Sequence, residues 1–251
     1  LILIGLGAAL AADVADWNAP VSLFNDMMRV DHFSVAFTGV ILAVSLLWFT
    51  FSSSYFDEPS SRVDHFALLI FAITGAVVMT SFSNMIMLFL GIEILSISLY
   101  ILAGSNKSNL ASNEAALKYF LMGSFATGFL LFGIALLYGA TGSFNIAVIA
   151  EKIAANGLDQ PVMITAGLFL MMIAMAFKVS AAPFHWWAPD VYQGSPTVIT
   201  AFMSTVVKTA AFAAFLRLFS GAFASIAINW SETLFIISAL TIAIGNITAV
   251  F

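Results

Sequence analysis

Apolar runs of about twenty residues recur along this chain, and they leave it few ways to fold. Phe33–Phe51, Phe66–Ser81, Asn84–Leu102, Glu114–Gly139, Pro161–Ala181, Pro196–Phe219 and Ser231–Phe251 are each near the length that a helix needs to cross a bilayer, and Leu1–Ala12 is a shorter one. Only 8% of the 251 residues are charged, while 62% are hydrophobic. Soluble domains carry about 25% charged residues. Such a chain cannot clothe a water-facing surface. A membrane β-barrel would show short alternating segments instead of continuous runs. The expected fold is an all-α integral membrane protein with about eight transmembrane helices.

Composition removes several chemistries. Cysteine is absent, which excludes disulfides, thiolate catalysis and cysteine-held iron–sulfur clusters. Of the three histidines, His32 and His65 read as solvated loop residues, and His185 alone lies near a membrane segment. A haem held by two histidines within the bilayer is not expected, nor is any metal site. No Gly-x-Gly-x-x-Gly turn offers a nucleotide cradle, and a net charge of −5 gives no footprint for nucleic acid. Leu1–Ala12 lacks the basic start of a signal peptide, and Phe251 falls inside an apolar run. The chain reads as an internal portion of a longer protein.

One helix is expected to be broken. Lys178 ends the run that begins at Pro161, and Pro183 follows five residues later. His185, Trp186, Trp187, Pro189, Asp190 and Pro196 come next, before apolar helix resumes. Irregular backbone survives at membrane depth only when buried in protein or lining a watery cavity. A lysine beside such a break is a candidate ion-handling group. Trp186 and Trp187 read as interfacial packing, and Asp190 as a cap for the helix after the break. Met171, Met172 and Met175 share a packed face.

Four ionisable residues fall inside apparent membrane segments: Glu93, Lys118, Lys178 and Lys208. At a helix centre each costs about 2.5–3.5 kcal/mol, so together roughly 10 kcal/mol. Packing alone would be better served by leucine. A structural ion pair between Glu93 and one lysine is the plain reading. One carboxylate cannot pair with three lysines, so at least one lysine is expected to release its proton readily or to sit in water. A line of such groups with bound water passes protons. His185 is either a packed, hydrogen-bonded histidine or a relay step at the mouth of that line. Elsewhere, Asp13–Asp31 reads as a polar connection and Asp57–His65 as a loop. Ala140–Gln160 reads as a polar crossing with one short amphipathic helix. Gly123, Gly128 and Gly133 would let a neighbouring helix approach closely.

These stretches resemble a known family. Phe177-Lys178-Val179-Ser180, Pro183-Phe184-His185-Trp186 and Pro189-Asp190-Val191-Tyr192-Gln193-Gly194-Ser195-Pro196-Thr197 are similar to the subunit N family of NADH-quinone oxidoreductase, respiratory complex I. Gly91-Ile92-Glu93-Ile94-Leu95-Ser96 and Ala115-Ala116-Leu117-Lys118-Tyr119-Phe120-Leu121 resemble it too. The likeness runs from about Phe66 to Leu218, with Ser195 and Val198 as mild departures. It implies an antiporter-like fold of two inverted five-helix repeats, with ion sites at broken helices. Residues 66–219 would be the first repeat, 231–251 the start of the second, and 1–65 would hold N-terminal helices and loops. By the resemblance, Glu93 and Lys178 form a modulating ion pair and Lys208 carries the proton onward, with Lys118 and His185 in support.

The function so implied is proton translocation in the membrane arm of an NADH:quinone oxidoreductase in the bacterial inner membrane. Partners would be the other membrane-arm subunits and lipid. Flavin, iron–sulfur clusters and quinone would belong to partner subunits, with no cofactor in this chain. Two readings stay beside it: a subunit of a multi-subunit cation/proton antiporter, and a non-transporting structural subunit. A retinal protein fits poorly, because Pro183 follows Lys178 and acidic counter-ions are missing.

Overall fold

The computed structural model describes residues 2–18, 20–52, 55, 59–156 and 161–250. Eleven α-helices organise them: α1 (Ile2–Ala15), α2 (His32–Ser52), α3 (Pro59–Ser81), α4 (Met85–Ala103), α5 (Leu110–Thr141), α6 (Ile146–Asn156), α7 (Pro161–Val179), α8 (Trp187–Gly194), α9 (Thr197–Phe202), α10 (Lys208–Gly221) and α11 (Ala227–Val250). Five residues of π-helix, Met203–Val207, join α9 to α10 in one long helix. Among the described residues seven helices are long and apolar enough to cross a membrane. The expected eighth, α1, has 14 residues and stops short of that length.

Local chemistry sets several helix ends. Pro59 and Pro161 take the first helical position, where a missing N–H is harmless. The Asn84 Oδ1 accepts the Ile86 N–H at 2.9 Å and caps α4. Two expected loops are corrected here. Helix α3 begins at Pro59, so Asp64 and His65 lie on its early turns, while Asp57 and Glu58 fall outside the described residues. The expected polar connection from Asp13 starts later, since α1 reaches Ala15, and it folds into a hairpin. Strands β1 (Val21–Leu23) and β2 (Met28–Val30) pair antiparallel, Val21 opposite Val30. Three residues each are too few for alternation to declare a strand. Phe24, Asn25 and Asp26 turn with positive φ, and Ser83 fastens the hairpin by donating its N–H to the Met27 carbonyl and its Oγ–H to the Asp26 carbonyl. His32 opens α2, its ring edge-on to Trp17 at 5.1 Å.

Two compact units share the chain. The first comprises Leu1–Phe120 and Val191–Ala214. Its core is apolar, with Leu69, Met79, Phe82, Met85, Leu88 and Leu95 buried. Inside it, Thr38 and Thr80 share a hydrogen bond of 2.7 Å between α2 and α3. The Trp48 Nε1–H reaches the Val198 carbonyl at 2.7 Å, tying α2 to α9. The second unit comprises Leu121–Asp190 and Phe215–Phe251. Helices α5 and α7 touch backbone to backbone there: a Cβ added at Gly133 would lie 2.8 Å from the Gly167 carbonyl. Of the three expected contact glycines Gly133 is placed so, whereas Gly128 has nothing within 4 Å. Met171, Met172 and Met175 are buried on α7, as the spacing predicts. Helix α6 is the expected short helix of the 140–160 crossing, with Asp159 outside the described residues.

Candidate functional site

The break after α7 is built from hydrogen bonds, and Lys178 lies in the last turn of that helix. Ser180 adopts a left-handed conformation, φ 61°. The Ser180 N–H donates to the Phe177 carbonyl at 3.0 Å and the Ala181 N–H to the Ala176 carbonyl at 2.8 Å. That paired pattern is a Schellman motif, which satisfies carbonyls a helix end would otherwise strand in oil. The motif usually takes glycine at the left-handed position, so the sequence held no glycine to mark this stop. The Trp187 indole N–H reaches the same Phe177 carbonyl at 3.1 Å, and the two rings stack at 5.2 Å. From α11, the Thr241 Oγ1 accepts the Ala182 N–H at 2.9 Å. Lys178 is 5% exposed and sits at the negative end of the α7 dipole, where a cation is favoured.

The residues beyond the break divide by environment. Trp187 is 2% exposed and Trp186 73%, so only Trp186 keeps the peripheral place expected of both. Asp190 lies within the first turn of α8 and not at its cap, because the helix starts at Trp187. His185 is half-buried; among the described residues its Nδ1 is shut off from solvent without a hydrogen-bond partner. Beside it, an apolar cavity of about 770 Å³ is lined by Phe125, Phe129, Phe177, Pro183 and Trp186 among others. Its lining is almost wholly apolar, which suits hydrocarbon better than ordered water.

Glu93, Lys118 and Lys208 belong to the first unit, Lys178 and His185 to the second. Glu93 lies part-buried at a border of α4: Leu90 and Ile97 are exposed, whereas Ser96 and Tyr100 are buried. Lys118 corrects the expectation of a wholly buried amine. Its Nζ pairs with Glu114 at 2.6 Å one turn back on α5, and its side chain is 39% exposed. Glu114 thus supplies a carboxylate partner for Lys118. The i, i+4 spacing in Glu114-x-x-x-Lys118 was the signal for it.

Lys208 follows directly on the π-helical residues Met203–Val207. A π turn widens a helix and frees backbone groups, and such turns are frequent at functional sites. Hydroxyls add to the backbone bonding here: Thr205 donates to the Ala201 carbonyl at 2.7 Å and Thr209 to the Thr205 carbonyl at 3.0 Å. The Lys208 Nζ stands 5.9 Å from the centre of the Tyr192 ring. Tyr192 is held by α8, which lies hard against α5. A Cβ on Gly194 would fall 2.5 Å from the Ala111 carbonyl and 2.8 Å from the Ala115 Cβ. Gly194→Ala therefore forces two backbones apart, with an expected loss of about 1–3 kcal/mol. A fall in the thermal midpoint of the detergent-solubilised full-length protein measures it; an unchanged midpoint refutes the contact.

Chemically, the first unit offers amines, carboxylates and phenols in apolar surroundings, and the second an amine, an imidazole and the hydrogen-bonded backbone of the break. Those groups accept and release protons. Among the described residues no cluster of three or more His, Asp or Glu could hold a metal.

A family described as NADH:quinone oxidoreductase/Mrp antiporter, TM, matches residues 82–251. NADH-quinone oxidoreductase subunit N of Cytophaga hutchinsonii is 51% identical over 99% of this chain and 54% of its own length. The subunit N of Trichlorobacter lovleyi is 43% identical over 99% of this chain and 51% of its own. Among solved structures, a chain of respiratory complex I from Thermus thermophilus with bound aureothin superposes with a TM-score of 0.82 at 36% identity, covering 98% of this chain and 51% of that one. A chain of the Mrp complex from Dietzia has a TM-score of 0.75 at 22% identity over 88% of this chain, a likeness of fold alone. The chain spans about half the length of the curated relatives it matches.

Proposed function

Because the chain belongs to the membrane-subunit family shared by NADH:quinone oxidoreductases and Mrp antiporters, we propose that it works in the membrane arm of an NADH:quinone oxidoreductase, moving protons across the bacterial inner membrane. Lys178 supports the reading most: a buried amine at the end of a helix that stops part-way through an apolar stretch. The proton path would use Glu93, Lys178 and Lys208, with Lys118 and His185 in support. Residues 66–219, covering most of α3 through α10, would form one five-helix repeat, with residues 231–251 in α11 opening the next and residues 1–65 preceding both. Without cysteine the chain offers no thiolate ligands for iron–sulfur clusters. Electron carriers and quinone would then belong to partner subunits of the membrane arm and beyond, and this chain would respond to their charge changes electrostatically.

The Mrp likeness keeps a cation/proton antiporter as the second reading. Identity favours the first, since relatives named subunit N reach 51% while the Mrp chain stands at 22%. Glu93→Gln in the full-length subunit of the assembled complex tests the proposal. Glutamine keeps the shape and removes the charge, so NADH-driven proton uptake by vesicles is expected to fall about tenfold at equal assembly. Full uptake in that variant would remove Glu93 from the path. Sodium-dependent transport without NADH oxidation would point to the antiporter instead.

A further inference from the structure

We propose that the hydroxyls of Tyr100, Tyr119 and Tyr192 form a proton-conducting branch that links Glu93 to Lys208, a role that rests on the proton-translocation reading above. All five residues belong to the first compact unit. Tyr100 on α4 and Tyr119 on α5 meet edge to face, with ring centres 4.8 Å apart at 86°. Glu93 lies two turns before Tyr100 on α4, with Ser96 between them about one turn from each. Tyr192 lies two residues before Gly194, which touches Ala115, and Ala115 is one turn before Tyr119 on α5. The Tyr192 ring in turn lies beneath the Lys208 ammonium at 5.9 Å. The five groups thus follow one another along α4, α5, α8 and the start of α10, from carboxylate to amine.

Burial argues that these phenols are not there for packing. Tyr119 is 1% exposed, and the hydroxyl oxygens of Tyr119 and Tyr192 are both shut off from solvent. A buried hydroxyl must be given a polar neighbour to offset its lost hydration, a requirement that a phenyl ring of the same shape does not carry. The chain has 25 phenylalanines and 5 tyrosines, yet three of the five tyrosines meet here. The approach of Gly194 to Ala111 and Ala115 seats α8 on α5, the helix that carries Tyr119.

A phenol donates one hydrogen bond while accepting another. A proton leaving the Glu93 carboxyl forms a new O–H bond at Tyr100 as the old Tyr100 O–H bond breaks toward Tyr119. The exchange repeats at Tyr119 and Tyr192, with bridging waters carrying the proton across each gap. It ends with a new N–H bond on a neutral Lys208 amine. Glu93 is left as carboxylate, Lys208 as ammonium, and every phenol stays neutral. No oxidant or co-reactant is needed.

Tyr119→Phe and Tyr192→Phe keep the rings and remove the hydroxyls. The measurement is NADH-driven proton uptake by vesicles carrying the assembled complex, normalised to its rate with an artificial electron acceptor that bypasses the membrane arm. Each variant is expected to lose about tenfold or more. Tyr100→Phe carries the same expectation should either of the others assemble poorly. Wild-type uptake in the phenylalanine variants, with uptake lost in Lys208→Ala, would overturn the branch and leave the path through the lysines standing. Wild-type uptake in Lys208→Ala as well would overturn both.

Discussion

Lys178→Ala is expected to cut NADH-driven proton uptake by about a hundredfold or more, within the range lost when a positioned acid–base group is removed. The amine is 5% exposed at the last turn of α7, so no bulk water stands ready to replace it. The magnitudes suit a switch. A charge pair about 4 Å apart at an effective dielectric near 20 is worth about 4 kcal/mol. That is about three pKa units. Carrying one charge against 100 mV needs about 2.3 kcal/mol. Making and breaking one such interaction is therefore enough to drive one proton. Lys178→Arg separates the two roles a buried cation can have. Arginine stays charged at every working pH. If the site needs a static cation, the arginine variant pumps normally and alanine alone fails. If the site needs an amine that gives up its proton, both fail, which is the outcome expected here. Normal uptake in Lys178→Ala at equal assembly would remove Lys178 from the path.

The sequence made the helices and the break legible because both are local. Apolar length alone placed seven spans, and Pro183 together with the missing apolar pattern placed the end of α7 within two residues. What it hid was non-local or too short. The hairpin at Val21–Val30 has strands of three residues, and it is fastened by Ser83, more than fifty residues away. The π turn before Lys208 leaves no periodic mark in an all-apolar stretch, since every register of such a stretch is apolar. Thr241 reaches the break from α11, and nothing near position 241 announces it. The residue types of the proposed path stood out in the sequence through the cost of burying charge, which singles out Glu93, Lys178 and Lys208. The tyrosines did not, because a phenol in a helix reads as one more aromatic until its neighbours are known.

Trp187→Ala is expected to cost about 3–5 kcal/mol, the largest stability loss of any single change proposed for this chain. The indole is 2% exposed, stacks on Phe177 and donates to the Phe177 carbonyl. Truncation removes the ring, opens a cavity and takes one of two donors from a carbonyl that lies next to Lys178. Trp187→Phe separates these effects. It keeps an aromatic ring and removes the N–H, while Ser180 still donates to the same carbonyl. Its expected cost is therefore the smaller one of a single hydrogen bond and some lost area, about 0.5–1.5 kcal/mol. Trp186 is the control. At 73% exposure, its alanine variant should stay within about 0.5 kcal/mol of the parent. Thermal midpoints of the three variants in detergent give the order directly. If Trp186→Ala falls as far as Trp187→Ala, the two indoles share one environment and the assignment of Trp187 to the inner wall of the break is wrong. If the order holds, proton uptake should follow it, with Trp187→Ala impaired and Trp187→Phe close to normal. The end of α7 positions Lys178 only while something rigid holds the Phe177 carbonyl in place.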